Sequence, residues 1–187
     1  MNPARRNLRL LVGAGAALVV LAGASTVALA AAGGAFDHRW SAPSGQCSAP
    51  ALPGTVVDVT LTNMGGAMMG GWQGGGMMRV LAERHRVPAG TVSFRVANTG
   101  TLVHELVVLP LRPGQAVGQR AVGIDNRVSE AGSLGEASNS CGAGAGDGID
   151  PGAMGWVTLH LAPGTYELVC NLPGHYAAGM YTWLTVT

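Results

Sequence analysis

The sequence predicts an all-β sandwich of about seven or eight strands, preceded by a hydrophobic leader helix. Three observations predict it. Apolar residues alternate with polar ones over several short runs, the period-two signature of half-buried strands. Turns of Pro, Gly and Asn separate those runs, and Gly fills 30 positions. After the leader, no segment keeps a long helical period.

The N-terminus reads as a targeting segment. Arg5, Arg6 and Arg9 flank an apolar stretch, and Ala28, Leu29 and Ala30 offer small residues where a signal peptidase reads them. Arg5-Arg6 is a weak twin-arginine signal. Residues 10–32 are 23 uncharged positions, also enough to span a bilayer with the positive flank in the cytoplasm. Residues 1–32 are therefore either a cleaved signal peptide or an anchor of one membrane helix. Both readings make the remainder extracytoplasmic, in the periplasm or at the cell surface, secreted or anchored. Residues 33–54, rich in Ala, Gly, Ser and Pro, form a linker to one domain over residues 55–187. Without the leader arginines, 8 of the 11 basic residues face 10 acidic ones. Outside the leader the basic residues cluster only at Arg84-His85-Arg86, so no nucleic-acid partner is expected.

Within the domain, Val57, Val59 and Leu61 alternate with Asp58, Thr60 and Thr62 as a first strand. An insert at residues 64–78 follows, with 5 Met and 7 Gly in 15 uncharged positions. Residues 79–81 resume a short strand, and residues 87–90 make a turn. Val92, Phe94 and Val96 then face one side of a strand, with Ser93 and Arg95 opposite. After the turn Asn98-Thr99-Gly100, alternation over 102–109 sets Leu102, His104, Leu106 and Val108 on one face. Both faces of that run are apolar, which places it centrally. Residues 110–155 show no sustained period beyond a short strand or helical turn near 116–122. They hold a long loop at 123–155, of the kind that is functional or covalently fastened. Val157, Leu159 and Leu161 alternate with Thr158 and His160, and Pro163-Gly164 makes a turn. Tyr166, Leu168 and Cys170 share the inner face of the next strand, and residues 181–187 close the domain.

The chemistry concentrates in residues 170–180, where Cys170, His175 and Met180 stand at intervals of five. For this composition the expected number of such Cys-x4-His-x4-Met matches is roughly 0.003. Thiolate, imidazole and a weak thioether are the donor types of a blue copper site, and they select copper over harder metals. The structural alternative is a core cysteine followed by a surface histidine and a buried methionine. A trigonal set needs another imidazole, and the candidates are His38, His85, His104 and His160. His38 lies in the linker, His85 between two arginines and His160 on a polar face. His104 alone sits on an apolar face and is the favoured ligand. Pro173, Gly174 and Gly179 suit tight turns around His175 and Met180. Leu172, Pro173, Tyr176, Ala177 and Ala178 are expected to form an apolar collar through which the His175 edge passes electrons. Cys47 and Cys141 remain. They either pair across 94 residues, contributing roughly 4–5 kcal/mol, or stand as separate exposed thiols.

Residues 87–94, residues 98–105 and residues 170–180 resemble the cupredoxin family, among them sulfocyanin-like blue copper proteins. The resemblance covers residues 55–187 and implies a Greek-key β-sandwich with one type 1 copper at one end. It implies His104, Cys170 and His175 as equatorial ligands and Met180 as the axial one. Glu105 departs from the Asn that many small members carry after the first histidine, where it helps to fix the loop. The insert at 64–78 and the loop at 123–155 lie outside the minimal domain.

The function expected is a one-electron carrier rather than an enzyme, with no small-molecule substrate. The chain has no His-x-His and only 5 His, too few for a multicopper oxidase or nitrite reductase. Redox partner proteins are expected to dock near His175, and the membrane is a partner if the leader stays uncleaved. The alternative is copper acquisition, storage or delivery. In that reading Met64, Met68, Met69, Met77 and Met78 form a second site for additional Cu(I), since thioethers favour that ion. A third reading keeps the fold as a protein-contact module with its metal incidental.

Overall fold

A computed structural model describes residues 47–63 and 78–187, all within one compact unit, His38–Thr187. The leader, most of the linker, His38 and the methionines Met64, Met68, Met69 and Met77 lie outside the described residues. Among the described residues no helix is long and apolar enough to cross a membrane.

The described residues form nine strands, in order β1 (Thr55–Asn63), β2 (Met78–Ala82), β3 (Arg86–Val87), β4 (Gly90–Asn98), β5 (Leu106–Pro110), β6 (Gly135–Ala137), β7 (Met154–Leu161), β8 (Gly164–Val169) and β9 (Tyr181–Val186). They build two sheets, β2-β1-β4-β7 and β3-β9-β8-β5-β6. Strand β1 runs parallel to β4 and β3 parallel to β9, while the remaining pairs are antiparallel.

Alternation dictates what each sheet buries. Val57, Val59 and Leu61 of β1 and Val92, Phe94 and Val96 of β4 turn inward and are essentially inaccessible. They meet Leu106, Val108, Leu168 and Leu184 from the facing sheet in one continuous core, which makes the pair of sheets a sandwich. Each such side chain contributes about 1.5–3 kcal/mol by leaving water. The outer face of the second sheet is covered as well. Val107, Leu109 and Val169 pack there with Val128 and Tyr176, so the excursion after β5 lies over that face.

Several boundaries differ from those the pattern suggests. The alternation at 102–109 continues through Leu102, yet Leu102 is 44% exposed and β5 begins only at Leu106. Asn98 bends the chain there, donating from its buried amide to the carbonyls of Leu102 and Ile149 at 2.7 Å each. His104 consequently sits in a single bridge to Ile149, outside a regular strand. Residues 116–122 form no regular element, since backbone and side-chain bonds hold them instead of a ladder. Met78 opens β2 and packs, partly buried, against the main core, so it belongs to the sheet.

A disulfide joins Cys47 to Cys141, with their Cα atoms 5.5 Å apart. It ties the chain ahead of β1 to the long loop before β7. The Cys141 N–H also donates to the Met154 carbonyl at 2.7 Å, docking that loop on the first residue of β7.

Candidate metal centre

Three parts of the second sheet converge at one end of the sandwich. His104 lies just before β5, Cys170 just after β8, and Met180 just before β9. The connection over 170–180 is closed at its base by a bond from Cys170 N–H to the Met180 carbonyl at 3.0 Å. Inside it, His175 N–H donates to Leu172 O, Ala178 N–H to Gly174 O, and Met180 N–H to His175 O, at 3.0–3.1 Å. Gly174 and Gly179 take φ of +84° and +92°, the left-handed region these tight turns need. The loop is therefore a self-bonded unit that sets the positions of its side chains.

It presents a compact donor set. Cys170 Sγ lies 3.3 Å from His175 Nδ1 and 4.0 Å from His104 Nδ1, and the two Nδ1 atoms are 3.2 Å apart. All three atoms lie within 4.8 Å of one another. His104 and Cys170 are fully buried, and His175 is half-buried. Met180 is fully buried beside them and shares the main core with Cys170.

Electrostatics keep the nitrogens available. Burial, helped by the neighbouring His175, pulls the His104 imidazolium down to about 4, and burial lowers His175 as well. Both rings are therefore neutral at pH 7. Burial pushes the Cys170 thiol up to about 12, so a metal entering the site must displace its proton. The Glu105 N–H donates to Cys170 Sγ at 3.4 Å, a bond that stabilises a thiolate.

The donor set fits copper. With metal–nitrogen bonds of about 2.0 Å and a metal–sulfur bond of about 2.3 Å, trigonal geometry separates nitrogen from nitrogen by roughly 3.5 Å and nitrogen from sulfur by roughly 3.7 Å. The two observed nitrogen–sulfur distances, 3.3 and 4.0 Å, fall on either side of the nitrogen–sulfur value, and the nitrogen–nitrogen distance of 3.2 Å is slightly shorter than its own. Soft sulfur with two imidazoles, and a buried methionine closing the same loop, matches copper among the first-row ions.

The other two described histidines, His85 and His160, stand apart from this set. His160 is exposed on β7. His85 lies part-exposed beside β9. Its ring stacks on Trp183 at 4.2 Å, and its Nδ1 lies 2.9 Å from the Trp183 carbonyl. Tyr176 departs from expectation and leaves the collar around His175. It is buried with Val107, Leu109 and Val128, where its hydroxyl donates to Glu167 Oε1 at 3.0 Å. Pro173, Ala177 and Ala178 remain as the exposed collar.

Several supporting residues escape sequence reasoning. The Glu105 carboxylate, read only as a departure from a family pattern, accepts Asn171 N–H at 3.1 Å and so fixes the ligand loop. Asn171 in turn holds the excursion after β5, donating to Val128 O at 3.0 Å and accepting Val128 N–H at 2.7 Å. Gly174 N–H donates to Asn126 O at 2.9 Å, fastening the same excursion beside His175. Asn63 reaches the His104 ring from the end of β1. None of these contacts carries a periodic signal.

A two-sheet β sandwich with a buried cysteine and two histidines at one end defines a cupredoxin-type metal centre. Comparison with known proteins places it further. The sulfocyanin (SoxE) domain family matches residues 75–187. The chain belongs to that family of blue copper cupredoxins, which bind one type 1 copper and transfer electrons rather than turn over a substrate. Auracyanin-B of Chloroflexus aurantiacus is 52% identical over 40 residues, 21% of this chain and 17% of that protein. The match thus spans under a fifth of that relative's length. Among solved structures, dithionite-reduced auracyanin from Roseiflexus castenholzii is 22% identical with a TM-score of 0.43, covering 71% of this chain and 96% of that one. Rusticyanin from Thiobacillus ferrooxidans is 24% identical with a TM-score of 0.44, covering 72% and 79%.

Proposed function

We propose that this chain is an extracytoplasmic one-electron carrier in which His104, Cys170, His175 and Met180 hold a single type 1 copper. The observation that carries the reading is the convergence of three donor atoms, from segments 66 residues apart, within 4.8 Å in a buried site. Copper held by such a set supplies a Cu(II)/Cu(I) couple. The chain's own contribution is rigidity. Loop bonds within 170–180, the Glu105 contacts and the sheet ends fix the donors before any metal arrives, so little rearrangement accompanies a change of charge.

The electron leaves through His175. It is the half-buried member of the set, and exposed Pro173, Ala177 and Ala178 surround it with apolar surface suited to brief docking by a redox partner protein. The leader and the Cys47–Cys141 disulfide support an oxidising, extracytoplasmic address. The Greek-key connection of the two sheets and the division at residues 32 and 54 complete this reading.

Electron self-exchange between copper-loaded copies, measured by NMR line broadening, tests the port without an identified partner. Ala177→Asp is expected to slow exchange by about tenfold or more, because like charges would meet in a desolvated contact, while the visible band stays unchanged. An unchanged exchange rate would remove His175 as the port. Challenge with a chelator separates carrier from copper handler: a carrier retains its copper in both redox states, and rapid loss from the reduced form would favour delivery.

A further inference from the structure

The two His104 nitrogens face different environments. Nδ1 points at Cys170 and His175, while Nε2 lies 3.0 Å from Asn63 Oδ1. Which amide atom of Asn63 faces the ring is settled by its other partners. The same oxygen accepts two backbone donors, Thr101 N–H at 2.8 Å and Leu102 N–H at 3.2 Å, and the Asn63 amide nitrogen donates to Thr101 Oγ1 at 2.9 Å. An oxygen holding two N–H donors can only accept from the ring, so Nε2 carries the proton and Nδ1 presents its lone pair. Space at this point is tight. A Cβ built on Gly100 would collide with Asn63 Oδ1 and stand 3.0 Å from His104 Nε2, so only glycine there leaves room for the contact. Asn63 ends β1, in the sheet opposite the one that supplies Cys170 and Met180.

We infer that Asn63 is the positioning residue of the metal centre, locking His104 in the Nε2–H tautomer so that Nδ1 is directed at the copper. This inference rests on the copper reading above and adds a residue to it. Asn63 acts through His104 and touches no metal itself. It also connects the two sheets at the site, since the amide that orients the ring simultaneously pins the turn at Thr101 and Leu102. An acceptor on the far nitrogen makes the ring a stronger donor, which favours Cu(II) over Cu(I).

The full-length chain is to be compared with Asn63→Leu and Asn63→Asp, using imidazole 15N shifts of the metal-free protein and chelator competition for each copper state. The unaltered chain is expected to show His104 protonated at Nε2. Asn63→Leu should populate both tautomers and lose roughly 10–100-fold in Cu(II) affinity, with a smaller loss for Cu(I). Asn63→Asp keeps an acceptor, so it should retain the tautomer and bind Cu(II) at least as tightly as the unaltered chain. Should Asn63→Leu fail to fold, the tautomer and affinity of Asn63→Asp decide. A His104 protonated at Nδ1 in the unaltered chain, or unchanged tautomer and affinity in Asn63→Leu, overturns the inference. A chain that binds no copper would overturn the proposed function instead, and the tautomer measurement would still decide the role of Asn63.

Discussion

Replacing Cys170 by serine is expected to abolish the intense thiolate-to-copper band and to weaken copper binding beyond the roughly 10–100-fold that loss of an outer partner costs. The hydroxyl is nearly the size of the thiol, and it can still accept the Glu105 N–H that now reaches Cys170 Sγ. The variant should therefore fold. What it loses is the soft anionic donor, the group that distinguishes copper from harder ions in this set. Absorption and chelator competition on the Cys170→Ser protein check the expectation. A blue copper-loaded Cys170→Ser protein would mean that the metal lies elsewhere.

The second large effect concerns stability. Glu167 is completely buried on β8 and is held by three donors: Arg120 Nε at 2.5 Å, Gly118 N–H at 2.7 Å and the Tyr176 hydroxyl at 3.0 Å. Arg120, 13% exposed, also donates to the Pro110 carbonyl at 2.8 Å. Removing one member of a buried ion pair leaves the other charge unpaired, which costs about 3–5 kcal/mol. Arg120→Ala is therefore expected to lower unfolding stability by that amount in denaturant titration of the whole chain. Tyr176 adjoins His175 and bonds to both Glu167 and the Arg120 N–H, so the same variant should loosen the ligand loop. A change under about 1 kcal/mol, the range of exposed pairs, would show that water reaches this cluster.

How far these features could be read without coordinates depends on the distance over which they act. Val57-Val59-Leu61, Val92-Phe94-Val96 and Val157-Leu159-Leu161 advertise their strands because burial on one face imposes period two on the chain itself. Strand β6 imposes nothing legible: it is three residues long and begins at Gly135. The run at 102–109 misled in one respect. Its alternation is real, but the Asn98 amide caps the chain before Leu106, and that contact is invisible to periodicity. The same division runs through the metal centre. Cys170, His175 and Met180 are legible because one short loop sets their spacing, and His104 because it interrupts an apolar face. Asn63, 41 residues from His104, and the Arg120–Glu167 pair, 47 apart, leave no local trace. Glu105 shows a further gap. Its identity is plain in the sequence, but its carboxylate serves Asn171, 66 residues away.

The central claim is that one buried copper at His104, Cys170, His175 and Met180 cycles between two states without leaving. An anaerobic redox titration of the copper-loaded full-length chain, followed by its visible band and with total copper measured at each end, tests it most directly. The expected result is one copper per chain, a single one-electron transition, and full recovery of the band after repeated cycles. A band that fails to return because copper has dissociated on reduction, or a stoichiometry met only by donors outside these four residues, would contradict it.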